Sequence, residues 1–506
     1  MLVQEHQDQA AEVKRVARHA RRKNCQAKVE SYFRSNLSDN HRGTTMPNKT
    51  RSPSADARAS RRTFLAAAAG GILTTLVPRH VLGGRGYIPP SERINLAGIG
   101  AGGMGGGDIA TLARLGANVV ALCDVDDERA AGSFKAFPNA RRYKDFRVML
   151  DAEAKNIDAV SVGTPDHIHA VATMAAIRAG KHVYCQKPLT RTLQECREVT
   201  RAARAAGIAT QMGNQGHATE GARLTNEWIR AGIIGSVREV HVWSDRAGHL
   251  WKQGIARPAG TPPIPPTLNW DLWLGPVRER PYHPAYLPVL WRGWRDFGTG
   301  ALGDMGCHII DHPLWALDLG APTVVEARTT LDGSVLEGNK PNDETYPIAA
   351  VIYFDFPERG QRPAVRMTWY DGGLMPPAPL GMPENQRLPD NGVLYVGSKG
   401  ILYHSSHGGM PQLLPAELHQ EAKKVPRTMA RSPGHYEEWV AACKGGPRPL
   451  SNFDYAGPLT EIVLLGVLAL RSPGRRLEWD SENLKVKNAP ELNRFVSAEY
   501  RKGWTL

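Results

Sequence analysis

Cysteine is scarce in this chain. Six are spread over 506 residues, at Cys25, Cys123, Cys185, Cys196, Cys307 and Cys443, with no C-x-x-C pair. That spacing offers neither a zinc framework nor a disulfide framework, and the cysteines in apolar runs read as small hydrophobes. Apolar runs of membrane length are missing too. Residues 64–77 make a stretch of 14, too short for a comfortable span. The run at 456–470 is also short and carries Glu461, so it reads as a packed helix. The body of the chain lacks strong charge. Of the formal +13, residues 1–93 hold +10, from 17 Lys and Arg against 7 Asp and Glu, which leaves +3 for the other 413 residues. The main electrostatic argument for nucleic acid therefore falls away. The residues that would bind a metal (His167, His217, Asp304, His308, Asp311, His312) lie on separate segments without a ligand spacing, so no metal is expected.

The length predicts about two domains plus extensions. Residues 1–45 are polar and charged without a sustained apolar period. They read as a disordered extension or, as the favoured alternative, as sequence upstream of a true start at Met46. From Met46 a basic stretch leads to Ser60-Arg61-Arg62-Thr63-Phe64-Leu65 and then the apolar run to Val77. Paired arginines before a modest apolar stretch resemble a twin-arginine export signal, so residues 46–92 are expected to be signal and linker. The expected location is the periplasm, reached through the twin-arginine export machinery, with the signal either removed or kept as a membrane tether. That route carries folded proteins, which lets a cofactor be loaded before export.

Residues 93–97 read as a strand running into Gly98-Ile99-Gly100-Ala101-Gly102-Gly103-Met104-Gly105. Gly98, Gly100 and Gly103 supply G-x-G-x-x-G: a tight turn, a close backbone approach to pyrophosphate and a close helix–strand contact. A helix around residues 108–115 would aim its positive end at the phosphates. Residues 118–123 form a second buried-strand pattern that ends on Asp124, 21 residues after Gly103. A carboxylate there accepts both ribose hydroxyls of NAD and repels a 2′-phosphate. No arginine follows directly, which favours NAD over NADP. The alternation continues with strands at 157–162, 182–185 and 208–212 and helices at 170–179 and 193–206, as in a doubly wound parallel sheet. A Rossmann domain over residues 93–212 is the expectation. Ligands bind beyond the carboxyl ends of such strands. There stand Thr164-Pro165 with His167, then Gln186-Lys187-Pro188, then Asn214-Gln215.

With Thr164-Pro165, His167, His169, Ala179-Gly180-Lys181-His182-Val183, Lys187-Pro188 and Gly303-Asp304-Met305-Gly306-Cys307-His308 with Asp311, the chain resembles the glucose–fructose oxidoreductase/inositol dehydrogenase/rhizopine catabolism (Gfo/Idh/MocA) family over roughly residues 93–470. The family usually carries Glu-Lys-Pro. Gln186 keeps hydrogen-bonding capacity toward nicotinamide or ribose and removes a charge beside Lys187. The resemblance implies that residues 213–470 form an α/β domain with an open, mainly antiparallel sheet that binds substrate and mediates homo-oligomerisation. Residues 471–506 are read as a tail. Strand patterns at 237–243, 324–330, 348–356, 365–370 and 393–396 support that domain independently.

Between the first two strands lies an insertion, 246–299, holding Trp251, Trp270, Trp273, Trp291 and Trp294. Tryptophan faces stack on sugar rings, and a hydrophobic mini-core beneath the loop explains the same residues equally well. Under the sugar reading, Trp291, Arg292, Trp294 and Arg295 are the substrate contacts. Asp304 and His308, four apart, share one helical face. The resemblance makes them catalytic together with Lys187. His308 is the expected base for the hydroxyl proton, Asp304 orients it or binds substrate, and Lys187 stabilises the developing alkoxide. The expected activity is NAD-dependent hydride transfer at a secondary hydroxyl of a sugar, glycoside or polyol. Two alternatives stand beside it: redox-assisted glycoside cleavage, and a nonenzymatic sugar sensor, for which Gln186 is the one encouraging feature.

Overall fold

A computed structural model of the chain describes residues 93–248, 250–330 and 343–506. The extension at 1–45 and the twin-arginine segment at 46–92 lie outside the described residues.

Strands β1 (Asn95–Ile99), β2 (Asn118–Cys123), β3 (Arg141–Tyr143), β4 (Ala159–Val162), β5 (His182–Cys185) and β6 (Thr210–Met212) form one sheet in the order β3-β2-β1-β4-β5-β6. Every pairing in it is parallel. Helices α1 (Gly103–Arg114), α2 (Asp127–Ala136), α3 (Phe146–Ala152), α4 (Asp166–Arg178) and α5 (Leu193–Ala206) make the crossovers. β1, β4 and β5 are buried almost throughout, as strands covered on both faces must be. α5 starts on a full capping box, in which the Thr192 hydroxyl and the Glu195 carboxylate each accept from a backbone N–H of the other. It stops at left-handed Gly207.

After α6 (Glu220–Arg230) comes β7 (Val237–Trp243), the first strand of a second sheet. The insertion contains α7 (Trp270–Leu274), and then α8 (Gly300–Ile309) and α9 (Asp311–Leu317) lead to β8 (Val324–Thr329), β9 (Ala350–Phe356), β10 (Val365–Tyr370), β11 (Gly392–Gly397), β12 (Ile401–Ser405) and β13 (Gln412–Leu414). α10 (Leu418–Ala422), α11 (His435–Cys443) and α12 (Phe453–Ala469) follow, and β14 (Arg476–Asp480) and β15 (Lys485–Val486) close the chain's strands. The second sheet has nine strands in the order β13-β12-β11-β7-β10-β9-β8-β14-β15, antiparallel at each pairing except β7 with β10.

Two C-terminal stretches return to the nucleotide-binding half. Trp439 of α11 is buried with Ile94, Leu96, Ile109 and Leu122, and the Gln211 amide donates to the His435 carbonyl. α12, the apolar run foreseen as a packed helix, buries Leu459, Ile462, Val463, Leu464, Leu465 and Leu468 between the two sheets and packs on α5 and α8. No helix among the described residues is long and apolar enough to cross a membrane. Residues 471–506 do more than trail behind the domain. They supply β14 and β15, and then Trp504 packs against Phe146 beneath the Arg147 guanidinium.

Candidate active site

The strand order 3-2-1-4-5-6 reverses between β1 and β4, and the loops leaving their carboxyl ends touch. Gly163 N–H donates to the Ile99 carbonyl and Gln186 N–H to that of Val162. Gly100 has φ +82°, and a Cβ on it would lie 2.7 Å from the Gly163 carbonyl carbon. Only glycine meets both demands. A Gly100→Ala variant is therefore expected to lose nucleotide binding outright, read as absence of NADH fluorescence enhancement in protein that still shows its far-UV helix signal.

α1 begins at Gly103, five residues ahead of the helix anticipated from sequence, because the glycines there looked like loop. Its N-cap, Gly102, provides no side chain to cap the first turn, so those N–H groups face outward for a ligand. Asp124 closes β2, and its carboxylate accepts from Ala101 N–H (2.8 Å) and Asp126 N–H (3.0 Å), which leaves lone pairs beside the glycine turn. The Thr164 hydroxyl is buried without a partner on the same edge. Met104 is exposed on the first turn of α1. A cradle without side chains, an uncapped helix start, a ribose-ready carboxylate and an orphaned hydroxyl together fit a dinucleotide.

The other residues foreseen for the cofactor divide. Gln186 faces a buried carboxylate: its amide donates to Asp108 Oδ2 at 2.8 Å, while the Tyr436 hydroxyl donates to Asp108 Oδ1 at 2.7 Å. Burial pushes Asp108 up to about 7, against the pull of those two hydrogen bonds. Here is a physical reason for the missing family glutamate, since a second carboxylate at 186 would confront Asp108. Gln186→Glu is expected to destabilise the fold by about 1–3 kcal/mol at neutral pH, with a penalty that grows as pH rises through Asp108's range. Adding Asp108→Asn should return most of the loss, as thermal melts across pH would report. Gln215 donates to the Tyr184 and Tyr436 hydroxyls, both at 3.3 Å, in the same network.

Two cofactor assignments need correction. Asn214 is fully buried and committed, donating to Asp311 Oδ2 at 3.0 Å and accepting from Ser451. His167 is buried beneath the insertion, its ring nitrogens on the carbonyls of Trp273 (2.8 Å) and Phe297 (3.2 Å), and burial drives it down to about 3. The imidazole that does join the strand-end loops is His169, with its nitrogens on the carbonyls of Pro188 (2.7 Å) and Thr164 (2.9 Å).

The three residues foreseen as catalytic meet where the two domains face each other. Lys187, leaving β5, donates to the Asp304 carbonyl (2.6 Å) and to Asp304 Oδ1 (2.9 Å) on α8. Arg292 donates to the same Oδ1 at 2.9 Å, and Arg246 Nε lies 3.7 Å from Oδ2. Burial alone would raise the Asp304 carboxyl, but the charges of Lys187, Arg292 and Arg246 hold it well below the usual carboxylate range. One turn along α8, His308 is buried, its Nδ1 has no partner, and its ring stacks on His407 with centroids 4.1 Å apart. Burial, followed by His407, Lys187, His312 and His435, pushes the His308 pKa well down, so the ring is neutral. A neutral imidazole beside an ammonium can take a proton from a hydroxyl whose oxygen the ammonium polarises. Behind them Asp311 accepts from His217 (2.9 Å) and from the Tyr455 hydroxyl (2.6 Å).

The insertion resolves in favour of the mini-core. Trp294 is 1% exposed, its indole N–H donates to the Ala285 carbonyl, and Trp270, Trp273, Tyr286 and Phe297 pack around it. Arg295 is buried, with Nε on the Thr345 carbonyl and its guanidinium over Tyr346. Neither Trp294 nor Arg295 is a substrate contact. Trp291 is buried as well and carries the Arg292 guanidinium at 4.2 Å from its ring centre. Of the four, Arg292 alone reaches Asp304. Sequence reasoning missed Arg246, His407 and Asp108. His407, held at φ +60° between β12 and β13, arrives from a Ser-Ser-His-Gly-Gly turn with no periodic signal. Among the described residues no group of three or more His, Cys, Asp or Glu is gathered to hold a metal.

Two family models match this chain. "Oxidoreductase family, NAD-binding Rossmann fold" covers residues 94–214, and "Oxidoreductase family, C-terminal alpha/beta domain" covers 221–331, both of the Gfo/Idh/MocA group. Over those two stretches the chain matches the Gfo/Idh/MocA family of oxidoreductases. Its N-terminal domain is thus an NAD-binding Rossmann domain. It is 32% identical over 162 residues to a 1,5-anhydro-D-fructose reductase of Ensifer adhaerens, 31% of this chain and 36% of that protein. It is 42% identical over 112 residues to inositol 2-dehydrogenase 2 of Saccharopolyspora erythraea, 22% of this chain and 32% of that protein. The alignments thus span about a third of these relatives' own length. Among solved structures, a WlbA dehydrogenase from Bordetella pertussis in complex with NADH and UDP-GlcNAcA superposes with a TM-score of 0.54, at 18% identity, covering 77% of this chain and 98% of that one. An inositol dehydrogenase homologue from Azotobacter vinelandii, complexed with NADH and myo-inositol, gives 0.51 at 18% identity, covering 76% and 98%. At those identities the likeness is one of fold.

Proposed function

We propose that this chain is an exported, NAD-dependent oxidoreductase acting on a secondary hydroxyl of a sugar, glycoside or related polyol. One observation carries the reading: Lys187, leaving a strand of the NAD-binding sheet, is fastened 2.9 Å from Asp304, one helical turn before a neutral, buried His308. NAD, when bound at the Rossmann edge, supplies the hydride acceptor. Gly98, Gly100 and Gly103, the first turn of α1, Asp124 and Thr164 would hold it, with Gln186 and Gln215 shaping the wall behind. His308 accepts the hydroxyl proton, Lys187 keeps the oxygen in an electropositive field, and Asp304 fixes the ammonium in place. The named activities of the relatives, all on sugars or polyols, support this substrate class. Export rests on Arg61-Arg62 and the apolar run behind them. A homo-oligomer, joined through the open second sheet, belongs to the same proposal.

The test begins with full-length protein purified without added nucleotide. Retained NAD, together with a sugar-dependent rise in reduced-nicotinamide absorbance, supports the reading. Protein that neither retains nor binds NAD(H), or that gives no such rise with any sugar or polyol screened, counts against it. Fusion of residues 46–92 to a reporter exported only in folded form tests the export claim, which fails if an Arg61→Lys, Arg62→Lys pair leaves periplasmic signal unchanged.

A further inference from the structure

We propose that the substrate is an acid sugar, a uronate or aldonate whose carboxylate is seated on Arg246 and Arg292. This rests on the oxidoreductase reading above and narrows its substrate class. Catalysis at a neutral sugar needs Lys187, Asp304 and His308, and it gives no reason for two further guanidinium groups at the same carboxylate. The Arg246 side chain is 9% exposed, Nη1 holds Asp245 Oδ1 at 2.5 Å, and Nε is buried without any hydrogen-bond partner. Its distance of 3.7 Å to Asp304 Oδ2 is too long for a hydrogen bond. Arg292 donates to the protein through Nε, to Asp304. Trp291 and Trp251 lie under its guanidinium, 4.2 and 5.9 Å from the ring centres, which fixes its plane and leaves its terminal nitrogens for a ligand.

The charges point the same way. Lys187, Arg246 and Arg292 face the two carboxylates of Asp304 and Asp245, so the cluster keeps one positive charge. The neighbouring imidazoles do not add to it, because burial pushes His308 well down and His407 down to about 4. Asp166, whose pKa burial raises, also feels Arg292 and Lys187, but the larger charge acting on it is that of His169, itself raised to about 9. A buried guanidinium with spare donors and surplus charge is stabilised most by a planar anion accepting two parallel N–H bonds, as a carboxylate does. A hydroxyl offers no charge and no second oxygen.

The experiment compares matched pairs with full-length protein and NAD: D-glucuronate against D-glucose, D-galacturonate against D-galactose, D-gluconate against D-glucitol. The expected result is turnover of at least one acid with kcat/KM roughly 10- to 100-fold above its neutral partner, expressed mainly in KM. Arg246→Gln and Arg292→Gln should each erase most of that preference. Should Arg246→Gln fail to fold, Arg292→Gln, on a partly exposed side chain, decides the matter alone. Neutral partners turned over as well as the acids would overturn the acid-sugar proposal and leave the oxidoreductase reading standing. An acid preference untouched by Arg292→Gln would also overturn it. If no member of any pair is oxidised, the acid-sugar proposal falls, and the wider sugar and polyol screen decides separately whether the parent reading falls with it.

Discussion

Replacing His308 by glutamine is expected to lower hydride transfer by about 10²–10⁴-fold, the usual worth of a positioned general base. Glutamine keeps polar atoms near the site of the ring and cannot carry the proton away. Because burial, then His407 and Lys187, push the His308 pKa well down, the imidazole starts neutral, so the variant should lose rate uniformly rather than shift a pH optimum. Single-turnover reduction of bound nucleotide separates this from slower product release. NADH fluorescence titration should be unchanged, since no part of His308 belongs to the glycine edge. A His308→Gln protein with a wild-type single-turnover rate would remove the imidazole from the mechanism and leave Lys187 as the base to be tested next.

Asp304→Asn should be the more damaging change to the fold. The carboxylate is 10% exposed and binds Lys187 and Arg292 directly, with Arg246 close by. Removing one partner of a buried ion pair leaves uncompensated charge, at a cost of about 3–5 kcal/mol. The melting temperature should fall accordingly and activity should go with it, because only the Asp304 backbone carbonyl then holds Lys187 against α8, without the charge that fixed the ammonium. The pH dependence follows from the direction of the shift. The folded-state pKa of Asp304 is depressed, so its contribution is complete above the unfolded-state value of roughly 4 and disappears as pH falls below that toward the folded value. Wild-type protein should therefore lose stability in acid more steeply than Asp304→Asn, and the two melting curves should converge at low pH. Parallel curves from pH 7 to 3 would show that the charge of Asp304 does not stabilise the fold.

The sequence was most informative where a physical rule leaves few options. G-x-G-x-x-G between a buried strand and a helix has one common use, and β2, β5, β7, β10 and α5 occur at the residues their apolar patterns mark. Lys187, Asp304 and His308 also converge as the family pattern implies. The failures share a cause. Tryptophan-rich sequence serves a carbohydrate subsite and a small core equally, and period and composition cannot separate them; the packing around Trp294 does. β3 is short and exposed, with two arginines in three residues, so it carries no strand pattern at all. The stretch at 471–506 looked like a tail because its strands are only five and two residues long, too brief for the alternation in β14 to stand out. His407, Arg246 and Asp108 reach their positions through contacts made across the fold, which no local window records.

Trp439 completes the packing around β1 and α1, and residues 213–438 separate it from the last strand of that sheet. During synthesis the nucleotide-binding half therefore emerges with a gap in its hydrophobic interior. At about 5–20 residues per second the missing indole arrives roughly 10–45 s later. Until then the glycine edge has no finished support, so NAD can be captured firmly only by a chain that has left, or nearly left, the ribosome.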